Sequence, residues 1–334
     1  KREMPYDGRD RIAIGGSRKS LAWQNSRLSV SELYNRFEHP VRSSETMQEY
    51  LHLKKLQQDE LKDCAGGFVG GELSSPRRKA GNVTGRDLIT LDFDNIPGWQ
   101  TDAVIAKMDA LHCGYCVYST RKHVPERPRL RIIVPTDRTM TPDEYEPCAR
   151  RVAAHVGIGM ADPSTFELSR LFYFPTCCAD SEFVYKAVDK PFASVDALLK
   201  SYADWHNVTS WPTVPGAVSY QKLAMKQGIP EEKSGIVGAF YRTYDVLSAI
   251  DAFLHGIYEP VDGSTDRYTY LGGSTAGGAV IYDGGRFLYS HHATDPCSGR
   301  LVNAFDLVRL HKFGDKDNNA LPDTPITKLP SYTA

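Results

Sequence analysis

The chain has 334 residues, 41% hydrophobic and 24% charged, with a formal net charge of −1. This is the composition of an ordinary globular protein, long enough for two domains or one large one, and it argues against a uniformly basic nucleic-acid coat. No apolar run approaches the roughly 18 residues a bilayer crossing needs, and the opening "KREMPYDGRD" lacks the apolar core of a signal peptide, so an intracellular protein is expected.

Two helices come first, "SVSELYNRFEHP" and "SETMQEYLHLKKLQQDELKD", each opened by a Ser that can cap and a Glu in the first turn, the first stopped by Pro40. "GGFVGGELSSPRRKAGNVTG" reads as a short strand and a flexible basic loop. Next come the strand "DLITLDFD", the helix "WQTDAVIAKMDALH", the strands "YCVYST" and "RLRIIVP", and the helix "PDEYEPCARRVAAHVG". The strands "RLFYFPT" and "FVYKAV" and the helix "SVDALLKSYADW" follow. Neighbouring strands mixed with crossovers predict an α/β (α+β) sheet with antiparallel members. Residues 206–232 carry several prolines and no sustained period, which marks a linker between units 1–205 and 233–334. The second unit reads as a helix over "IVGAFYRTYDVLSAIDAFLHGIY", short strands separated by Gly turns, and a closing helix "NAFDLVRLHKFG".

The seven cysteines form no disulfide framework. Cys113 and Cys116 share a CxxC spacing in a strand-like segment, where residues three apart point to opposite faces; that argues against one metal or one disulfide.

Asp92 and Asp94 in "LITLDFDN" share a strand face roughly 7 Å apart, with Phe93 turned away. Such a pair can hold hard divalent cations through oxygen ligands, while the same residues suit an ordinary Asp-Asn turn. "STRKHVPERPRLRIIVP" places Lys122 and His123 at a strand-to-loop junction, then Arg129 and Arg131 on one face. Convergent cations of this kind neutralise phosphates; a solvated strand face is the other reading. Asp162 in "GMADPSTFELSRLFYFP" can join the first two acids or serve only the Asp-Pro-Ser turn, and Arg170 can serve a substrate or pair with a surface acid. Arg77, Arg78, Lys79 and Arg86 form a further basic cluster just before the paired aspartates.

"LDFD", "STRKHVPERPRLRIIVP" and "MADPSTFELSRLFYFP" together resemble the three catalytic motifs of the archaeo-eukaryotic primase superfamily. Within it, the chain is similar to the primase-polymerases of phages and prophage islands found in virulence-associated protein E. The likeness extends to "GGSRKSLAWQNSRLSVSELYNRF", "GGFVGGELSSPRRKAGNVTGRDLITLDFD" and "YLGGSTAGGAVIYDGGRFLYSHHATDPCSGRLVNAFDLVRLHKFG".

The resemblance implies a primase catalytic core with an RRM-like mixed sheet, followed by a smaller α+β domain. It implies that Asp92, Asp94 and Asp162 are catalytic ligands for Mg²⁺ or Mn²⁺, and that His123 contacts the phosphates of a nucleoside triphosphate. Lys122, Arg129, Arg131 and Arg170 are assigned to the nucleotide, and Arg77, Arg78 and Lys79 to single-stranded DNA template or triphosphate, from charge and position. Arg121 departs from the family's second motif, which has a small residue two before the histidine.

In the second unit, Cys297 with His291, His292 and His311 makes a poor tetrahedral set, so a metal-free module is expected, with Tyr268, Tyr270 and Phe287 available to stack on bases. In relatives a helicase domain follows. The expected function is primer synthesis in phage or mobile-element replication, inside a bacterial cell. A replication-origin binding module and a metal-dependent nuclease are the rival readings.

Overall fold

The computed structural model describes residues 4–216 and 220–334. The chain divides into two compact units, one of 1–201 with 212–217 and the other of 202–211 with 218–334. Within the segment 206–232, Val208–Ser210 and Pro230–Glu232 are short 3₁₀ turns and Tyr220–Gln227 is a helix. Residues 217–219 of that expected linker lie outside the described residues. Among the described residues, no helix is long and apolar enough to cross a membrane.

The first unit is mixed α+β. Its five-stranded sheet has the order Tyr185–Val188, Tyr115–Ser119, Leu130–Met140, Val83–Phe93 and Gly71–Leu73, with every pair antiparallel. The two central strands read as continuous apolar runs because they are buried on both faces, Leu88, Ile89, Leu91, Ile132, Ile133 and Val134 being fully buried. A second, four-stranded sheet joins Gln24–Ser29, Arg9–Gly15, Gly67–Val69 and Phe172–Tyr173.

The helix Val30–Glu38 starts with the reciprocal Ser29–Glu32 capping box. Its buried face presents Leu33, Tyr34 and Phe37 to a core with Phe68, Tyr118 and Phe174, the Phe37 and Tyr118 rings stacking at 4.9 Å. The helix Pro142–Val156 buries Tyr145, Cys148, Ala149 and Val152.

Some local expectations fail for identifiable reasons. The stretch expected as one helix from Ser44 to Asp63 is two, Met47–His52 and Lys55–Asp63. No Pro or Gly breaks it; the buried Gln58 donates its amide to the carbonyls of Leu51 and Leu53, which holds the interruption open. "RLFYFPT" supplies two short strands in different sheets, Phe172–Tyr173 and Thr176–Cys177, the latter pairing in parallel with Val41–Arg42. The strand Arg9–Gly15 is an element the sequence reading lacked.

The second unit has a five-stranded antiparallel sheet in sequence order, Tyr258–Pro260, Arg267–Tyr270, Ala279–Tyr282, Phe287–Ser290 and Leu301–Asn303. Its core draws on the helices Gly235–Thr243, Val246–Phe253 and Ala304–Phe313. The single helix expected over the first two is divided at Asp245, whose side chain accepts from the backbone N–H of Ser248 and begins a new helix.

Candidate active site

The strand Val83–Phe93 carries Asp92 to its end, with Phe93 fully buried behind it and Asp94 just beyond. Asp162, far away in sequence, is brought alongside by backbone pairing. Phe93 and Ala161 form an antiparallel bridge, and the Asp162 N–H donates to the Asp92 carbonyl at 2.8 Å. Thr165 locks this junction: its hydroxyl accepts from the Asp92 N–H at 2.9 Å and donates to the Thr90 carbonyl at 3.1 Å. Asp162 also caps its own 3₁₀ turn, one oxygen accepting from the Ser164 N–H at 2.9 Å, so its turn role and its place beside the other acids coexist.

Each acid has an arginine. Arg131, directly opposite Asp92 in the sheet register, is nearly fully buried and bonds Asp92 Oδ2 at 3.1 Å; Arg129 bonds Asp94 at 3.1 Å, and Arg170 lies 3.8 Å from Asp162. The two strand arginines therefore clasp carboxylates here. Burial raises the Asp94 carboxyl above the ordinary range, and the charges of Asp92 and Asp162 push it the same way. Asp92 Oδ1 is buried with no hydrogen-bond partner. An orphaned carboxylate oxygen amid three acids fits a hard divalent cation in its donor chemistry. Among the described residues, the three carboxylates do not bring one oxygen each within 4.8 Å of one another; that spacing is met only by Asp295, Cys297 and His311 of the second unit.

His123 is buried at 2% exposure, and its Nδ1 accepts the backbone N–H of Arg129 at 3.1 Å. Burial lowers its pKa, so the ring is neutral near pH 7 and Nε2 carries the proton as a donor. Lys122 is half-buried, its ammonium 5.8 Å from the Tyr50 ring centroid, and burial lowers its pKa as well. Arg121, the departure from the small-residue pattern, turns away into the helical segment before the sheet. It is buried, ion-paired with Glu45 and set 4.6 Å over the Tyr50 ring. A large residue fits there because its side chain leaves the loop.

The basic cluster before the aspartates divides. Arg86 is fully buried and is no part of a basic surface: its guanidinium donates to the carbonyls of Leu168 and Leu88, the Thr90 hydroxyl and the Tyr145 hydroxyl. It thus ties the aspartate strand to the Asp162 loop. Arg78 donates to the Ser169 carbonyl at 2.9 Å and lies 5.4 Å over the Trp23 ring, so the loop expected to be flexible is anchored at this residue. Arg77 and Lys79 flank it, both half-buried.

Lys62 escaped the sequence reading. It lies on the helix Lys55–Asp63 with its ammonium 4.9 Å from the Tyr173 ring centroid. Burial first, then the charge of Arg131, lowers its pKa to about 8, against the opposing pull of Asp92 and Asp94. A lysine at the polar end of a helix gives no sequence signal that distinguishes it from a solvated one.

In the second unit, Phe287 is 1% exposed and packs in the core, so it is not available to stack on bases. Tyr268 and Tyr270 are half-buried against the same core. Both ring nitrogens of the buried His292 are engaged, Nδ1 with Thr275 and Nε2 with the N–H groups of Tyr270 and Gly278. Asp295 accepts from the Tyr258 hydroxyl at 2.7 Å and the Cys297 N–H at 2.8 Å, and His311 shares that tyrosine at 2.8 Å. These groups satisfy one another as a polar core network.

A model of the VapE N-terminal domain matches residues 1–214. No curated protein matches the chain. Among solved structures, the AEP domain of the cyanophage S-2L primase-polymerase is similar at 13% identity and a TM-score of 0.31, over 58% of this chain and 88% of that one.

Proposed function

The chain belongs to the VapE N-terminal domain family, and on that premise we propose that it is a nucleotidyltransferase, a template-directed primase-polymerase that makes and extends primers on single-stranded DNA. The observation that supports this reading most is the backbone bond that sets Asp162 beside Asp92 at the strand end, with Asp94 two residues on and a buried Asp92 oxygen left without a partner.

Those three carboxylates would hold Mg²⁺ or Mn²⁺, which would stabilise charge on a transferring phosphoryl group. The protein's own residues then have separable tasks. His123, fixed by the Arg129 N–H, offers its Nε2 proton to a phosphate oxygen. Arg129 and Arg131 orient Asp94 and Asp92 and balance their charge. Lys122 and Arg170 stand ready for nucleotide phosphates, while the Arg77–Lys79 loop is assigned to the template. In the reaction a 3′-hydroxyl attacks the α-phosphate of a nucleoside triphosphate and pyrophosphate leaves, which demands in-line positioning and charge stabilisation but no covalent enzyme intermediate. Action in a bacterial cell on phage or mobile-element DNA, with a helicase domain following in a longer chain, belongs to the same proposal.

The test is incorporation of labelled nucleotides on a primer-free single-stranded template, with Mg²⁺ or Mn²⁺ and with ribo- or deoxynucleotides. Metal-dependent product growth is expected. DNA binding without incorporation would replace this reading with an origin-binding module; loss of labelled DNA ends without added nucleotide would replace it with a nuclease.

A further inference from the structure

The cations around the three acids differ in one respect. Arg129, Arg131 and Arg170 each face a carboxylate of the cluster, and Arg121 faces Glu45. Among the described residues Lys62 has no carboxylate within 4.0 Å, although the charges of Asp92 and Asp94 act on it. Its helix is fixed in place at the next residue: Asp63 accepts from the Ser17 hydroxyl and from the Arg18 N–H. That pins the Gly15–Ser20 turn, part of "GGSRKS", to the end of the helix. The approach is close, since a Cβ on Gly66 would meet the Gly15 carbonyl oxygen at 2.6 Å. Arg18 in this turn is half-buried and its guanidinium forms no ion pair among the described residues. Arg131 lies 5.7 Å from the Tyr173 ring centroid and donates to the Tyr173 backbone carbonyl, and Lys62 sits 4.9 Å from the same ring.

An ammonium drawn partly out of water beside an arginine, with no anion of its own, is an incomplete arrangement. A polyanion completes it. The acids repel that polyanion unless cations bridge them, which is the situation the proposed function already requires. Lysine, a compact charge on a flexible stem, suits phosphate oxygens approaching from varied directions.

We propose that Lys62, aided by Arg18 of the adjoining turn, receives the β- and γ-phosphates of the nucleoside triphosphate at the Asp92, Asp94 and Asp162 site. This rests on the nucleotidyltransferase reading. The neighbourhood of Asp92 and Asp94 favours the triphosphate over a template backbone, because the leaving pyrophosphate must lie beside those acids.

The experiment measures binding of ATP, dATP, AMP and dAMP to the full chain with Mg²⁺ by calorimetry, together with KM and kcat for incorporation. Lys62→Ala is expected to weaken triphosphate binding and raise KM by about 10- to 100-fold, the size of a lost charge-assisted hydrogen bond, and to leave monophosphate binding unchanged. Lys62→Gln, which keeps the stem over Tyr173, should behave like Lys62→Ala; Lys62→Arg should recover most of the affinity; Arg18→Ala should lose less than Lys62→Ala. Equal triphosphate binding by wild type and Lys62→Ala, or equal losses for tri- and monophosphates, overturns the assignment. A wild type that incorporates while Lys62→Ala shows an unchanged KM sinks this inference alone, and a wild type that neither binds nor incorporates nucleotides sinks the functional reading with it.

Discussion

At the residue scale, Asp92 and Asp94 are unequal partners. Asp92 is clasped by the buried Arg131, so Asp92→Asn leaves that arginine without its counter-charge and should cost about 3 kcal/mol as well as activity. Asp94 offers the cleaner test. Its pKa is raised by burial and by neighbouring acids, so its stabilising contribution is present below its unfolded pKa and is lost as pH rises through its folded pKa. Asp94→Asn should therefore melt at the same or a higher temperature than wild type at pH 7, with a smaller difference at pH 4, while incorporation falls by about 100-fold or more. Added Mg²⁺ should raise the melting temperature of wild type and leave that of Asp94→Asn nearly unmoved. A fluorescence melt with and without the ion, beside an incorporation assay, checks both halves.

At the element scale, the site depends on how a strand and a distant turn are joined. Thr165 links the Asp92 N–H to the Thr90 carbonyl, and Arg86 links the same strand to the Leu168 carbonyl. Thr165→Val strands the Asp92 N–H and leaves the Thr90 carbonyl with the Tyr145 hydroxyl as its side-chain donor, a loss of about 1–3 kcal/mol, and should raise the Mg²⁺ concentration needed for activity; Thr165→Ser should keep both properties close to wild type. A titration of activity against Mg²⁺ separates the two variants. The strand Arg9–Gly15 carries a different load. Burial, then the charges of Asp87 and Asp7, raises the Asp10 pKa from 3.8 to about 7. As a group raised in the folded state, it destabilises progressively between about pH 4 and pH 7, by on the order of 4 kcal/mol at most. Asp10→Asn should be more stable than wild type at pH 8 and should lose that advantage at pH 4, as denaturant melts at the two pH values would reveal.

At the scale of the whole molecule, residues 202–211 belong with the C-terminal unit although they precede the Tyr220–Gln227 helix. Tyr202, Val208 and Trp211 are buried, and Asn207 bridges Ala276 in parallel. A fragment of residues 202–334 should melt cooperatively, whereas one of 220–334 should melt several degrees lower, because each buried apolar side chain removed forfeits roughly 1.5–3 kcal/mol. Circular dichroism melts of the two fragments decide this, and equal melting temperatures would show that the Trp cluster does not stabilise the unit.

The sequence by itself determined the strand that carries Asp92 to its end with Asp94 one residue beyond, because a buried strand must be written in apolar residues. It also fixed the caps at Ser29 and the family motifs containing His123 and Asp162. Only the tertiary structure decided that Arg129 and Arg131 clasp acids, that Arg86 is buried, that Arg121 turns away, that Gln58 divides a helix and that Lys62 lies half-buried over Tyr173. The physical reason is common to all of them: a charged or polar side chain is written the same way whether it ends in solvent or in the interior, and which partner it meets depends on backbone segments far apart in the chain.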